Sequence, residues 1–272
     1  GIEAIHDFFL LADSGGTPQV QQLRYQNCMV MYLGDRLELE KEDARIIKDL
    51  GMKFRGKNDW IFFRSLRKGL YPWFLDQTEV VRLTKIYRQL IEALKPLLEQ
   101  QISVHFDAGE TLLRQYDHGK KTWINLVVEH EVQPLAQVVP VLRDELLAAR
   151  LKEKPRYQGD LEIDVLIVDA AVFDEELKRP LMPQLLAMAD VKSGELLAYK
   201  LLRPTDNEMG DLFDTVVRFT LDQGRPRTIY VRDERMESAL KDLCAKTGIQ
   251  LKIKPSLPLL DGIIQSFDQA VQ

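Results

Sequence analysis

The last third of the chain carries the pattern that most limits its fold, because strands and helices follow one another there in a clear order. Apolar runs typical of strands lie at 161–168, 184–190 and 195–202, and the turn at Lys192–Gly194 makes the last two a hairpin. Beyond Pro204, helical patterns at 206–223, 234–247 and 259–271 alternate with short strands at 228–232 and 250–253. This order, β, β, β, α, β, α, β, α, predicts an α/β (α+β) domain with a mixed sheet of about five strands.

The first half of the chain also mixes helical and strand patterns. Helices are predicted at 2–11, 40–50 and 78–98, strands at 28–33 and 60–66, and a hairpin from the runs 111–116 and 122–128. A short helical pattern at 141–151 and a basic, proline-bearing stretch at 152–156 follow. Because such stretches are typical of linkers, we predict two domains, at 1–152 and 160–272.

Charge, cysteine content and hydropathy exclude several classes of protein. The formal net charge of −5 gives no global attraction to a polyanion, so any binding of nucleic acid must be local. The two cysteines, Cys28 and Cys244, are too few and too far apart for a disulfide framework, which favours a reducing cytoplasm. No run approaches the roughly 20 apolar residues of a membrane span, so no membrane partner is expected. Phosphate-loop, dinucleotide and serine-hydrolase motifs are absent, and no cofactor is predicted from them.

The C-terminal pattern resembles the ribonuclease H-like fold, in particular the core of retroviral integrases and DDE transposases. Asp164 lies within the first strand of the pattern, Asp233 stands at the end of the fourth, and the stretch Asp261–Phe267 lies in the last helix. The resemblance implies that carboxylates at three such positions hold two magnesium ions, which activate the nucleophile and stabilise the leaving oxygen. At the third position this chain has Gln265, and a neutral amide is a poor substitute.

Two interpretations of these carboxylates remain open. Asp261 and Asp268 lie four residues before and three after Gln265, so a helix places them on its face, and one of them can supply the missing carboxylate of a magnesium-dependent nuclease. In the other interpretation, Asp164 and Asp233 are ordinary strand-end acids and the domain is a degenerate, non-catalytic scaffold. The amide at Gln265 favours the scaffold.

The whole chain resembles a family of uncharacterised bacterial proteins built from two adjacent domains of unknown function. The residues that carry this resemblance are Leu50–Asn58, Phe63–Ser65, Tyr71–Leu75 and the hairpin Leu186–Leu202. The resemblance implies a two-domain composition and lends no activity.

The segment 53–74 has the most unusual composition in the chain. It combines one acid, Asp59, with seven aromatic residues and the six cations Lys53, Arg55, Lys57, Arg64, Arg67 and Lys68. Cations that track phosphates, interleaved with rings that stack on unpaired bases, suit single-stranded nucleic acid. Alternatively, the rings belong to the core and the cations cover its edges, or Tyr71, Pro72 and Trp73 are exposed anchors for a protein partner.

Together these patterns predict a non-catalytic intracellular protein with a degenerate ribonuclease H-like domain that binds nucleic acid. The alternatives are a protein-interaction or oligomeric module and a magnesium-dependent nuclease.

Overall fold

The computed structural model describes Leu23 and residues 26–129 and 139–271, with side chains described as far as Ser266. The predicted helix at 2–11 lies outside these residues. The chain forms two compact units. The N-terminal unit consists of Met29–Ser65 and the described part of Phe74–Leu135, and the C-terminal unit contains Leu66–Trp73 and the described part of Ala136–Gln272. The predicted boundary between residues 152 and 160 stays a prediction.

The described part of the N-terminal half contains four strands and two α-helices. Strands β1 (Cys28–Gly34) and β2 (Trp60–Leu66) form a two-stranded sheet, with helix α1 (Lys41–Asp49) between them in the chain. Helix α2 (Gln77–Leu98) follows, and strands β3 (Glu110–Asp117) and β4 (Thr122–Glu129) form the predicted antiparallel hairpin. Short 3-10 helices lie at Arg36–Glu38 and Phe106–Ala108.

The ends of α2 follow from local chemistry. Asp76 accepts a hydrogen bond from the Glu79 backbone N–H at 2.9 Å, and Glu79 accepts one from the Asp76 N–H at 3.0 Å. This capping box satisfies two of the amide groups that the first helical turn leaves without partners. The helix is thus fixed at its first turn by its own sequence.

Few apolar side chains are buried in the N-terminal unit. Within its described residues, Phe62 and Ala93 are the buried apolar side chains. The apolar face that the sequence assigns to α2 is exposed, with Leu90 at 45% and Ile91 at 56%. On α1, Ala44 and Leu50 are exposed and the buried side chain is that of Asp43.

The C-terminal unit has a central five-stranded sheet with the order β11-β10-β5-β8-β9. Its strands are β5 (Leu161–Ile167), β8 (Gln184–Asp190), β9 (Leu196–Leu202), β10 (Thr228–Val231) and β11 (Gln250–Ile253). Strand β8 runs antiparallel to β5 and β9, whereas β10 pairs in parallel with β5 and β11. The first three long strands form a meander and the last two join by parallel pairing, as the ribonuclease H-like order requires. The predicted mixed sheet of about five strands is confirmed.

Helices cover both faces of this sheet. The main core joins one face of the sheet to α3 (Glu145–Glu153), α4 (Glu208–Gln223) and α5 (Glu234–Thr247). A second apolar cluster joins the other face to α6 (Pro258–Val271). Each buried apolar side chain stabilises the fold by about 1.5–3 kcal/mol, so the two clusters account for its compactness. None of the described helices is long and apolar enough to cross a membrane.

The sequence did not predict a small hairpin between β5 and β8. Its strands, β6 (Val172–Asp174) and β7 (Arg179–Leu181), have three residues each, too short to show an alternating pattern. The Asp174 carboxylate accepts hydrogen bonds from the backbone N–H groups of Glu176 and Leu177, which fixes the turn.

Candidate functional site

Strand β5 carries two acids on the face of the sheet that α6 covers. Successive strand residues point to opposite faces, and Ile163 and Val165 belong to the main core, so Glu162 and Asp164 point towards α6. Both acids are buried, Glu162 with 3% and Asp164 with 0% of its surface exposed. Buried carboxylates need partners, and those partners define the site.

Arg232 joins the carboxylates of two of the predicted catalytic residues. It directly follows β10, and its Nε donates to Asp164 Oδ2 at 2.6 Å while its Nη2 donates to Asp261 Oδ1 at 2.6 Å. Its Nη1 donates to the Pro255 carbonyl at 2.9 Å. Residue Arg232 is 6% exposed, so both ion pairs are largely shielded from water. We call this set of three charged side chains the Arg232 network.

The remaining oxygens of both aspartates also have partners. Asp164 Oδ1 accepts from the Val165 backbone N–H at 2.8 Å. Asp261 Oδ2 accepts from Ser256 Oγ at 3.2 Å and from the Leu257 N–H at 3.1 Å. Each carboxylate oxygen of the Arg232 network therefore has at least one hydrogen-bond partner within the protein.

Burial and charge have opposite effects on the pKa values at this site. Burial lowers the pKa of the Arg232 guanidinium, but Asp164 and Asp261 outweigh it and leave that pKa above its ordinary value. Burial raises the pKa of the Glu162 carboxyl, although the Leu259 and Leu260 N–H groups at the start of α6 donate to it at 3.1 and 3.3 Å. Arg232 thus stays charged, and the pKa of the Glu162 carboxyl lies above its ordinary value.

The other residues proposed for a nuclease have other contacts, are exposed, or lie outside the description. Asp233 caps α5, where its Oδ1 accepts from the N–H groups of Arg235 and Met236 at 3.0 and 2.9 Å. Gln265 is exposed on α6. The side chain of Asp268 lies outside the described residues. The structure therefore brings Asp164 and Asp261 together, because both carboxylates bind the guanidinium of Arg232.

The described residues do not fit a two-magnesium centre in this arrangement. Magnesium requires carboxylate oxygens that are open to it, and those of Asp164 and Asp261 already bind Arg232 and backbone amides. Among the described residues, no group of three or more histidine, cysteine, aspartate or glutamate side chains is arranged to hold a metal ion. Arg232 provides the positive charge between the carboxylates.

Sequence reasoning missed Arg232 and Glu162. Arg232 stands next to Asp233 in the predicted strand end, and only the acid was considered. Glu162 lies two residues before Asp164, the spacing that puts two strand side chains on one face. The position of Glu162 in an otherwise largely apolar strand was the feature of the sequence that could have revealed it.

Arg64, a predicted binding residue, is buried within the N-terminal unit. Its Nη1 and Nη2 donate to the two Asp43 oxygens at 2.9 and 2.7 Å, and Nη2 lies 3.3 Å from Glu40 Oε1. The guanidinium also lies 5.0 and 4.9 Å from the ring centroids of Phe62 and Phe74. With 8% of its side chain exposed, Arg64 stabilises the fold and leaves no surface for a phosphate.

The end of the basic segment belongs to the C-terminal unit. Lys68 forms an ion pair with the buried Glu208 at 3.0 Å. The Tyr71 N–H donates to the Pro180 carbonyl at 3.0 Å, and Arg179 Nη2 donates to the Tyr71 carbonyl at 3.2 Å. Arg67, Tyr71 and Trp73 are half-buried, so the aromatic pair predicted as exposed anchors is partly packed.

Arg55 lines a groove of about 710 Å³ in the N-terminal unit. One wall is α1, and the other is the segment from Met52 to Trp60. Five cations line it, and all five are exposed: Arg36, Lys41, Lys48, Lys53 and Arg55. We call this feature the cationic groove. Lys57 is also exposed but is not among the residues that line it.

Three of these cations lie outside the predicted segment. Lys41 and Lys48 are seven residues apart on α1, so two helical turns place them on one face, with Ala44 between them. Arg36 lies in the 3-10 helix, and its guanidinium carbon is 5.8 Å from the Trp60 ring centroid. The seven-residue spacing of Lys41 and Lys48 could have indicated a cationic helix face from the sequence. The contact of Arg36 with Trp60 could not, because it depends on the fold.

Two family models match the chain. Residues 1–114 match Domain of unknown function (DUF7309), and residues 147–268 match Domain of unknown function (DUF6930). None of the curated proteins matches it.

Solved integrase structures show a remote similarity. One is an intasome of simian T-cell lymphotropic virus in complex with PP2A regulatory subunit B56 gamma, at 12% identity and a TM-score of 0.32, covering 46% of this chain and 45% of that chain. Another is the catalytic core domain of BIV integrase, at 14% identity and a TM-score of 0.27, covering 42% of this chain and 66% of that chain. The ribonuclease H-like arrangement itself rests on the strand order and directions of the sheet. The two matched models support a family with two domains of unknown function.

Proposed function

We propose that this chain is a non-catalytic protein that binds single-stranded nucleic acid, with its ribonuclease H-like domain serving as a scaffold. The observation that carries the non-catalytic part is the Arg232 network. A guanidinium between two carboxylates cannot activate water as a metal ion does, because it has no open coordination position. Displacing it would leave Asp164 buried without its ion-pair partner.

Exposed cations beside aromatic rings support the nucleic-acid part of the proposal. The chain as a whole is acidic, yet Lys53, Arg55 and Lys57 are exposed next to Phe54 and Trp60. Such a local concentration of positive charge attracts phosphates in spite of the net charge.

A binding and cleavage assay tests both parts. A fluorescein-labelled single-stranded oligonucleotide is incubated with the full chain in magnesium or manganese, and its anisotropy and length are followed. We expect salt-dependent binding and an intact oligonucleotide. Cleavage that disappears in Asp164→Asn would establish the nuclease interpretation instead, and absence of binding at low salt would remove the nucleic-acid part.

A cytoplasmic location is the third part of this proposal. Both cysteines are free, and burial raises the pKa of the Cys244 thiol to about 12, so this thiol stays protonated and inert. Free thiols of this kind suit a reducing compartment. Fractionation of cells that express the tagged chain tests the location, and recovery outside the cytoplasm would contradict it.

A further inference from the structure

The cationic groove is strongly unbalanced in charge. Glu40 is the acid that lines it, against five cations. The Glu40 carboxylate lies 3.3 Å from Arg64 Nη2, so part of its charge is already compensated. Within the described part of the chain, none of the five groove cations forms an ion pair with a carboxylate. The groove therefore presents positive charge that no carboxylate among the described residues pairs with directly.

The walls of the groove are apolar and aromatic between these cations. Phe54 and Trp60 are half-buried, with ring centroids 5.9 Å apart and planes inclined by 54°. Ile47 and Met52 also line it, and Met52 is 47% exposed. The apolar side of α1 thus faces the groove. A ligand that fits must be anionic and must also offer a flat or apolar part.

We infer that the cationic groove is the site that binds single-stranded nucleic acid, with Lys48 and Arg55 contacting phosphates and Trp60 and Phe54 contacting unpaired bases. This inference rests on the proposed function and gives it a location. A groove of this volume has the size of a small-molecule site, so it admits nucleotides one or two at a time. Bases in a duplex are stacked on each other and cannot reach rings inside such a groove.

The residues of the cationic groove differ from most of those that the sequence predicted for binding. Arg64 is bound to Asp43, and Lys68 is bound to Glu208. Arg36, Lys41 and Lys48 take their place, and they come from the chain before the segment. The site therefore lies within one compact unit, between residues 36 and 60.

Paired charge reversals in the full chain test the location. Lys48→Glu with Arg55→Glu removes two exposed cations of the groove that have no ion-pair partner among the described residues. The matched control is Lys120→Glu with Lys121→Glu, which makes the same charge change at the exposed β3–β4 turn of the same unit. The probe is a fluorescein-labelled mixed-sequence DNA 12-mer, followed by anisotropy at low and moderate salt. Circular dichroism of all variants confirms folding, and Lys48→Gln with Arg55→Gln provides a milder pair.

We expect the groove pair to weaken binding on the order of 100-fold and the control pair a few-fold. Equal losses in both pairs would overturn the groove as the site while leaving nucleic-acid binding intact. No binding by the wild-type chain would instead refute the proposed function. Competition by a poly-glutamate peptide as effective as unlabelled DNA would assign the groove to acidic proteins, and a duplex that binds as tightly as the single strand would overturn the base contacts.

Discussion

The buried Arg232 network and the open cationic groove use the same kinds of side chain in opposite ways. In the C-terminal unit, one arginine is 6% exposed and holds two aspartates at 2.6 Å. In the N-terminal unit, five exposed cations surround a groove with one acid. The charges of the first set are paired within the protein, whereas the cations of the second set form no ion pair with a carboxylate in the part of the chain that the structure describes.

This difference is the reason for placing the proposed binding site in the N-terminal unit. Charges that are paired inside a fold are costly to separate and are unavailable to a ligand, whereas unpaired surface charges have little structural role and can contact one. The five-stranded sheet of the C-terminal unit therefore has the structural network. The N-terminal unit has the exposed cations on which the proposed binding rests.

The largest expected effect is on stability. Arg232→Ala leaves Asp164 buried without its partner, which we expect to reduce the free energy of unfolding of the C-terminal unit by about 3–5 kcal/mol. Calorimetry or urea denaturation measures the loss. Arg227→Ala, which removes an exposed arginine from its pair with Asp160, is the control and should change stability little. Equal losses in both variants would mean that the Arg232 network is not the structural element described.

A smaller effect is expected on binding when the groove loses a ring. Trp60→Ala removes a surface on which a base stacks, and this should weaken single-strand binding by about 1–3 kcal/mol. Titration of the labelled 12-mer measures it. Trp123→Ala, which removes an exposed ring from β4, should leave affinity close to that of the wild-type chain. If both changes weaken binding alike, stacking in the groove is not part of recognition.

A single groove cation should change the salt dependence by a defined step. If Lys48 contacts one phosphate, Lys48→Gln should reduce the slope of log affinity against log salt by about 0.7. Titrations at four salt concentrations give the slope. An unchanged slope with weaker binding would indicate that Lys48 acts through the local fold and not on a phosphate.

The smallest expected effect is a pH dependence at Glu162. Its folded-state pKa is raised above the ordinary value near 4.5, so the folded protein binds this proton more tightly than the unfolded chain does. The resulting stabilisation is fully present below the unfolded pKa and is lost as pH rises through the folded pKa. We therefore expect Glu162→Gln to gain stability relative to the wild-type chain as pH rises from 4 to 8.

Melting temperatures of both proteins across this range test the expectation. Exposed Glu175→Gln is the control for loss of one negative charge. A difference between Glu162→Gln and the wild-type chain that stays constant with pH would contradict a titrating, buried Glu162.

Periodicity in the sequence was sufficient to predict nearly all long elements of the described chain. Helix α5 and strand β8 have the predicted limits, because an N-cap at Asp233 and the turn after Asp190 mark them locally. The side-chain environment was harder to predict. Ala44 and Ile47 on α1 line the groove together with residues of the segment from Met52 to Trp60, and this long-range arrangement leaves no periodic pattern in the sequence.

The candidate sites show the same limit. Asp164 and Asp261 were considered from the sequence as carboxylates of a possible metal site, but their shared partner Arg232, 68 residues from one and 29 from the other, was not, because nothing local ties the three together. Arg64 was predicted to be a surface cation, although its partner Asp43 lies 21 residues earlier in the chain. Ion pairs between residues far apart in the sequence decide which charged side chains remain unpaired at the surface. The periodicity of a sequence does not show such pairs.

Photocrosslinking tests the central claim most directly. A single-stranded oligonucleotide that carries photoreactive thymidine analogues is irradiated with the full chain, and crosslinked peptides are identified by mass spectrometry. The account predicts crosslinks to the segment from Met52 to Trp60, above all at Trp60 and Phe54. Crosslinks concentrated around Asp164, Arg232 and Asp261 would contradict it and place binding on the ribonuclease H-like sheet.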